Sequence, residues 1–379
     1  MKKLDQKLLN RHLEETLSAN FAEGNVGGAS LYVSQAGECL YHKHFGLTGV
    51  TDGNPIDDRT IYRMASMTKP VSAVAAMILV DRGLLRLDDF VDSYLPEYAE
   101  MNVARLEGED IRIVGTAKNR LRILHLLTHS SGIGSGPLGT VQNQHLPQDA
   151  VDTLDDSVAY FANAPLAFDP YSAQAYSDFA AFDVLTKIIE LVSGEDYETF
   201  LKKNLFLPLG MKDTGFIPSE DQWNRMIGMH DREDSKSICR TMPKGCIFTR
   251  FPCTHFLGGA GLFSTLPDYI RFAEMLQNGG ALDGNRILSQ EAVHAIGSQQ
   301  VPDSIMRGYE RWGLAVRVIV GENWLPRGSF GWSGAYGTHF WIDPENRISA
   351  IYLRNSLYDS RGCGSIGFAF EKDVCASLI

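Results

Sequence analysis

The chain has 379 residues, 44% of them hydrophobic and 21% charged, the balance of a globular protein with a large core rather than of a disordered or collagenous chain. Its 35 basic side chains face 46 acidic ones, a formal net charge of −11, and that excess repels phosphate backbones and anionic lipid headgroups. Nucleic acid and membrane are therefore excluded as expected partners.

At the N-terminus Leu4, Leu8, Leu9, Leu13 and Leu17 recur at helical spacing, while Asp5, Lys7, Arg11, Glu14 and Glu15 break up any apolar run. The pattern predicts an amphipathic helix rather than an export signal, and hence a cytoplasmic protein. The stretch GGASLYVSQAGECLYHKHFG, residues 27–46, alternates around a turn at Gly37 and predicts a β-hairpin. A helix is expected from Pro70 to about Leu84, closed by Arg82-Gly83; its apolar run VSAVAAMILV, residues 71–80, is about half the length of a membrane span.

Further helices are expected over 121–132, over 176–194 with Gly194 as the stop, and over 195–210. The pattern then turns β-rich in RWGLAVRVIV (311–320), GTHFWIDP (337–344) and RISAIYLRN (347–355), with a turn at Asp343-Pro344-Glu345-Asn346 and a closing helix in 366–379. Residues 101–120, 134–150 and 231–256 read as irregular surface loops. Early and late strands around a helical middle imply one mixed α/β (α+β) unit over 1–379. Its α/β lobe would come from about 1–60 and 255–379, and its helical lobe from 61–254.

Six cysteines stand at Cys39, Cys239, Cys246, Cys253, Cys363 and Cys375, none in C-x-x-C spacing. Reduced thiols are expected rather than a disulfide framework or a zinc site.

Three stretches could carry chemistry. In MASMTKP, Ser66 and Lys69 are three residues apart, so a helix starting near Ser66 puts the amine on the hydroxyl's face, close to the amide dipoles of the helix N-terminus. A serine attacks a carbonyl only with a neighbour that takes its proton, and a buried lysine with a lowered pKa is such a group. Ser66 as a helix cap and Lys69 as a solvated side chain is the bland alternative.

In AYSDFAAFDVL, Tyr176 and Asp178 precede a helix; Tyr176 could exchange protons with Ser66, and Asp178 could simply be a cap. In FGWSGAYGTHFWIDP, residues 330–344, Gly334 and Gly337 let backbone approach a ligand closely. A strand amide there could supply half of an oxyanion hole, and a buried hairpin turn is the structural alternative.

Together, in this order, the three stretches resemble the Ser-x-x-Lys, Tyr-x-Asn and Lys-Thr-Gly motifs of the serine β-lactamase and penicillin-binding-protein superfamily. LLTHSSGI (126–133), LPLGMKDTGF (207–216) and GGAGLFSTLPDYIRFAEMLQNGG (258–280) resemble its class C β-lactamase and esterase branch, over roughly residues 27–355. The resemblance implies a β-lactamase/transpeptidase-like fold, an antiparallel sheet flanked by helices with a large helical insertion. It also implies an acyl-enzyme on Ser66, Lys69 as the partner that lowers its proton affinity, Tyr176 as general acid or base, and an oxyanion hole from the Ser66 and Ala335 amides.

Two departures stand out. Trp332-Ser333-Gly334 replaces Lys-Thr-Gly, which resembles family VIII carboxylesterases and removes the ammonium that would anchor a substrate carboxylate. Asp178 replaces the asparagine of the second motif; a carboxylate aimed at Lys69 would keep it protonated and leave Tyr176 as the proton acceptor. Asp178, Trp332, Ser333 and Gly334 are expected to contact substrate.

His125 and His129 have zinc-ligand spacing without the glutamate of His-Glu-x-x-His, GGAGLF lacks the third glycine of a dinucleotide loop, and no Gly-x-Ser-x-Gly elbow occurs. Neither metal nor cofactor is expected, and Trp312, Trp324, Phe330 and Trp341 read as core or cleft wall. The expected activity is hydrolysis of short-chain esters. Alternatives are β-lactam, D-amino-acid peptide or amide hydrolysis, or acyl transfer, at the same site, and a protein that is acylated and stays so as a sensor. The expected partner is a small ester or amide.

Overall fold

The computed structural model describes residues 1–49, 53–144, 153–233, 236–240, 255–306, 311–359 and 364–379. Its main sheet has seven antiparallel strands. They are β1 (Gly28–Gln35), β2 (Glu38–Gly46), β3 (Arg311–Trp312), β4 (Arg317–Val318), β5 (Phe330–Ser333), β6 (His339–Asp343) and β7 (Ile348–Leu353), in the spatial order β3-β4-β5-β6-β7-β1-β2. The hairpin from the start of the chain thus docks on a meander from its end, Tyr32 opposite Ile351 and Val33 opposite Ala350.

Strand alternation sorts the apolar side chains onto two faces. Leu31, Val33, Trp341 and Tyr352 point to one, where they meet Leu9, Leu13 and Leu17 of helix α1 (Gln6–Ala22) and Phe370 and Val374 of α5 (Gly364–Cys375). Asp5 caps α1 by accepting from the Lys7 and Leu8 amides, each at 2.9 Å, so the expected amphipathic helix is present and buries its leucine stripe.

Phe340, Ile342 and Ile351 point to the other face. There they join a core with Val71 and Val74 of α2 (Thr68–Asp81), Phe182 and Leu185 of α3 (Ala180–Ser193), and Phe272 and Leu276 of α4 (Leu266–Gln277). From Thr68 to Leu79 every residue of α2 is buried, which is why the sequence from Val71 to Leu79 is apolar on all sides apart from Ser72. Trp341 and Phe330 are core residues, and among the described residues no helix is long and apolar enough to cross a membrane.

Several expectations need correction. Residues 101–120 are not irregular: Asn102–Glu107 and Asp110–Thr116 pair as a hairpin. Residues 136–144 are helical, and 229–233 pair with 236–240; of the supposed loops, 145–150, 234–235 and 241–254 lie outside the described residues, as do Cys246, Cys253 and Cys363. Cys39 and Cys375 are free thiols. The helix expected over 121–132 is only Ile123–Leu127, because His129 takes a left-handed φ of 55°. The strand expected over 311–320 is two short pieces, broken at Ala315 with φ 61°.

Candidate active site

Ser66 sits in the 3-10 turn Ala65–Met67 between a short strand, Ile61–Arg63, and α2. The turn is tightly held. Ala65 takes a left-handed φ of 48°, a strained state for a side chain with a Cβ that persists only where surroundings enforce it. Here the Met64 amide donates to Leu262 O at 2.9 Å, the Thr68 hydroxyl donates to Ala65 O at 2.6 Å, and the Tyr269 hydroxyl donates to Met67 O at 3.0 Å. Ser66 itself remains partly accessible while its neighbours Ala65 and Met67 are buried. It does not cap α2, whose cap residue Met67 makes no side-chain bond.

Lys69 is fully buried, and its amine lies 3.3 Å from Ser66 Oγ. The same nitrogen donates to Gly259 O at 2.9 Å and to the carbonyl of Asp178. Burial pushes its pKa down to about 7, against an opposing pull from the Asp178 and Asp183 carboxylates. Those two carbonyls can only accept, so they take two N–H bonds whatever the protonation state. A neutral amine then has its lone pair left for the Ser66 hydroxyl.

Tyr176 packs its ring 4.8 Å from the Lys69 nitrogen, and its hydroxyl accepts from Trp332 Nε1 at 3.2 Å. Burial raises its pKa above the usual tyrosine range, more than the bonds with Ser66 and Trp332 lower it. The phenol, not the phenolate, is therefore the resting form.

Asp178 departs from its expected part. The Lys69 amine meets its backbone carbonyl, while the residue is exposed, so its charge acts through screening solvent and does not override the desolvation of the amine. Nor does it cap α3: Ser177 Oγ accepts from the Ala181 amide at 3.2 Å instead.

The third stretch divides between two faces. Trp332 faces Tyr176, whereas the Ser333 hydroxyl lies 2.9 Å from His339 Nδ1, directly across the strand pair. The next residue, Gly334, has no room for a side chain: an added Cβ would come within 2.1 Å of Thr338 Oγ1 and 2.2 Å of Met64 O. The Thr338 hydroxyl also donates to Met64 O at 2.9 Å. The turn carrying exposed Ala335 is thus pinned against the residue two before Ser66.

The region also matches known proteins. Residues 10–366 fit the family model described as Beta-lactamase. The chain belongs to the Beta-lactamase family. It is a serine hydrolase of that family. It is 33% identical over 353 residues to Protein Rv1367c of Mycobacterium tuberculosis (strain ATCC 25618 / H37Rv), covering 87% of this chain and 86% of the relative. It is 29% identical over 400 residues to Esterase EstB of Burkholderia gladioli, covering 98% and 97%. The solved structure of EstCE1, described as a hydrolase with promiscuous acyltransferase activity, superposes with a TM-score of 0.78 at 21% identity over 98% of this chain and 99% of its own. The β-lactamase/transpeptidase-like fold expected from the motifs is the fold observed.

In this β-lactamase-family chain the structure also brings in residues that the motifs alone do not flag. His129, set aside as a zinc ligand, packs with its ring centroid 4.3 Å from that of Tyr176, tilted, and 4.5 Å from that of Trp312, edge-on, and its Nδ1 accepts from the Ser177 amide at 3.1 Å. Burial and the Lys69 charge hold its pKa well below the usual histidine range, so it is a neutral wall behind Tyr176. His125 stacks on Tyr171 at 5.1 Å instead of joining it. Behind Ser333, Glu371 of α5 accepts from His339 Nε2 at 2.9 Å, from Trp324 Nε1 at 2.6 Å and from Arg317. His339 lies six positions after Ser333, a register that only the β5–β6 turn creates.

Proposed function

We propose that this serine hydrolase is a carboxylesterase for short-chain, uncharged esters, acting through an acyl-enzyme on Ser66. The observation that carries the reading is the Lys69 amine, fully buried and tied to two carbonyls beside the Ser66 hydroxyl. In its neutral form Lys69 takes the Ser66 proton as Oγ bonds to the ester carbon. Charge then grows on the carbonyl oxygen, where the Ser66 and Ala335 amides are the donors we assign to it.

Tyr176, a phenol at rest with Trp332 Nε1–H bonded to its oxygen, gives its proton to the departing alkoxide. The adjacent Lys69 ammonium reprotonates it, so the acyl-enzyme forms with both groups restored. Water repeats the sequence and releases the acid.

Selection against carboxylate-bearing substrates rests on Trp332, an indole where the β-lactamase motif has an ammonium; losing a charge-assisted bond in a desolvated site costs about 1.5–3 kcal/mol. The similarity to Esterase EstB supports ester hydrolysis.

The test is initial-rate hydrolysis of p-nitrophenyl acetate and butyrate beside a chromogenic cephalosporin, with Ser66→Ala as control. Ester turnover that falls by ~10³-fold or more in the variant, with little cephalosporin cleavage, is expected. Fast cephalosporin turnover overturns the ester preference. Stoichiometric adduct without released acid replaces the enzyme by an acylated sensor, and product appearing only with an added alcohol replaces hydrolysis by acyl transfer.

A further inference from the structure

We propose that His42, His44 and Asp58 form a binding site for one divalent transition-metal ion, with zinc as the reference ion, apart from the Ser66 site. His42 and His44 lie two residues apart on β2, so the strand's period of two puts both rings on one face of the sheet's edge strand. Asp58, in the segment leading from β2 to Ile61–Arg63, reaches the same point: its Oδ1 is 2.7 Å from His42 Nε2 and 3.1 Å from His44 Nε2. All three would-be ligand atoms lie within 4.8 Å of one another.

Ligands about 2.0–2.1 Å from a tetrahedral ion stand roughly 3.3 Å apart, so around an ion the two histidine–aspartate separations would widen by less than about 1 Å, while the histidine–histidine separation, within 4.8 Å, would close toward the same value. Two imidazole nitrogens and one carboxylate oxygen suit zinc and its first-row neighbours rather than magnesium or calcium. At least one coordination position is left for water.

The surroundings favour this use. A metal-binding imidazole usually has its other nitrogen held by an outer partner, and His44 Nδ1 lies 2.8 Å from Ser30 Oγ, itself 2.7 Å from the Tyr62 hydroxyl. Ser30 Oγ can accept a hydrogen bond from Nδ1–H, the tautomer that leaves Nε2 with a free lone pair. His42 packs edge-on against Tyr32 with ring centroids 5.9 Å apart, which limits its rotation. His42, His44 and Asp58 keep side-chain exposures of 30%, 20% and 55%, so an ion can enter without unfolding. Bound there, it would tie the edge strand to the segment that runs into Tyr62 and the Ser66 turn.

The experiment titrates chelator-stripped full-length protein with Co²⁺, read by visible absorption, and with Zn²⁺, read by calorimetry. One equivalent should bind, with cobalt d–d bands and no thiolate charge-transfer band, which separates this site from the cysteines. His42→Ala and Asp58→Asn should each weaken binding at least tenfold while leaving ester hydrolysis and circular dichroism unchanged. Saturating zinc should raise the wild-type melting temperature by about 2 °C or more and leave that of His42→Ala unmoved. Absence of uptake, uptake that survives His42→Ala/His44→Ala, or a sulfur charge-transfer band overturns the proposal.

Discussion

Lys69 sets the pH dependence of the proposed reaction. Its neutral form is the base, and burial brings its pKa to about 7, so kcat/KM for p-nitrophenyl butyrate should fall as pH drops below about 7 and level off above it. Asp178 raises that pKa through its charge; Asp178→Asn removes the charge and should shift the acid limb to lower pH without reducing the plateau. An unmoved limb would separate it from Lys69. Trp332→Phe tests the other proton carrier. It keeps an aromatic wall but deletes the N–H bonded to the Tyr176 hydroxyl, and one such bond is worth about 0.5–1.5 kcal/mol. We expect kcat to drop up to about tenfold at little-changed KM, measured by steady-state kinetics across pH.

At the scale of elements, the turn after β5 and the helix α1 make contrasting demands. Gly334→Ala drives a methyl into Thr338 and Met64 O, moving the turn that bears Ala335. Activity should fall by about 10²-fold or more, the size of a lost oxyanion donor, while far-UV circular dichroism stays native. Leu13→Ala in α1 does the opposite: it cavitates the core on the far side of the sheet and should cost about 2–5 kcal/mol in denaturant unfolding with kcat preserved in the folded fraction. The elements that sequence reveals are those with a buried stripe, such as α1, or a residue pattern tied to chemistry, such as the Ser66 turn. The hairpin over 102–116 escapes because its second strand is exposed throughout and so carries no apolar alternation. The roles of His129 and Glu371 escape for another reason: they come from contacts with Tyr176 and His339 across long stretches of chain, and no spacing in the sequence encodes them. Asp178 shows the remaining gap, since sequence names the side chain while the contact with Lys69 belongs to the backbone carbonyl.

Over the whole molecule, two features act on substrate choice with different reach. Trp332 acts at contact, by withholding a cation, and salt does not alter its identity. The net charge of −11 acts at distance, and its field on an approaching anion decays over about 8 Å at physiological ionic strength. The two separate in one comparison, using an uncharged ester and a carboxylate-bearing ester with the same leaving group. For the uncharged ester, kcat/KM should be flat between low and high salt. For the anionic ester it should rise with salt as the repulsive field is screened, yet stay below the uncharged one because the contact term persists. In Trp332→Lys the high-salt gap should narrow, since an ammonium now meets the carboxylate; the same charge close to Lys69 should lower the amine's proton affinity and move the acid limb of the pH profile down. If the gap instead vanishes with salt in the wild type, long-range repulsion alone sets the preference, and Trp332 is only a hydrogen-bond donor to Tyr176.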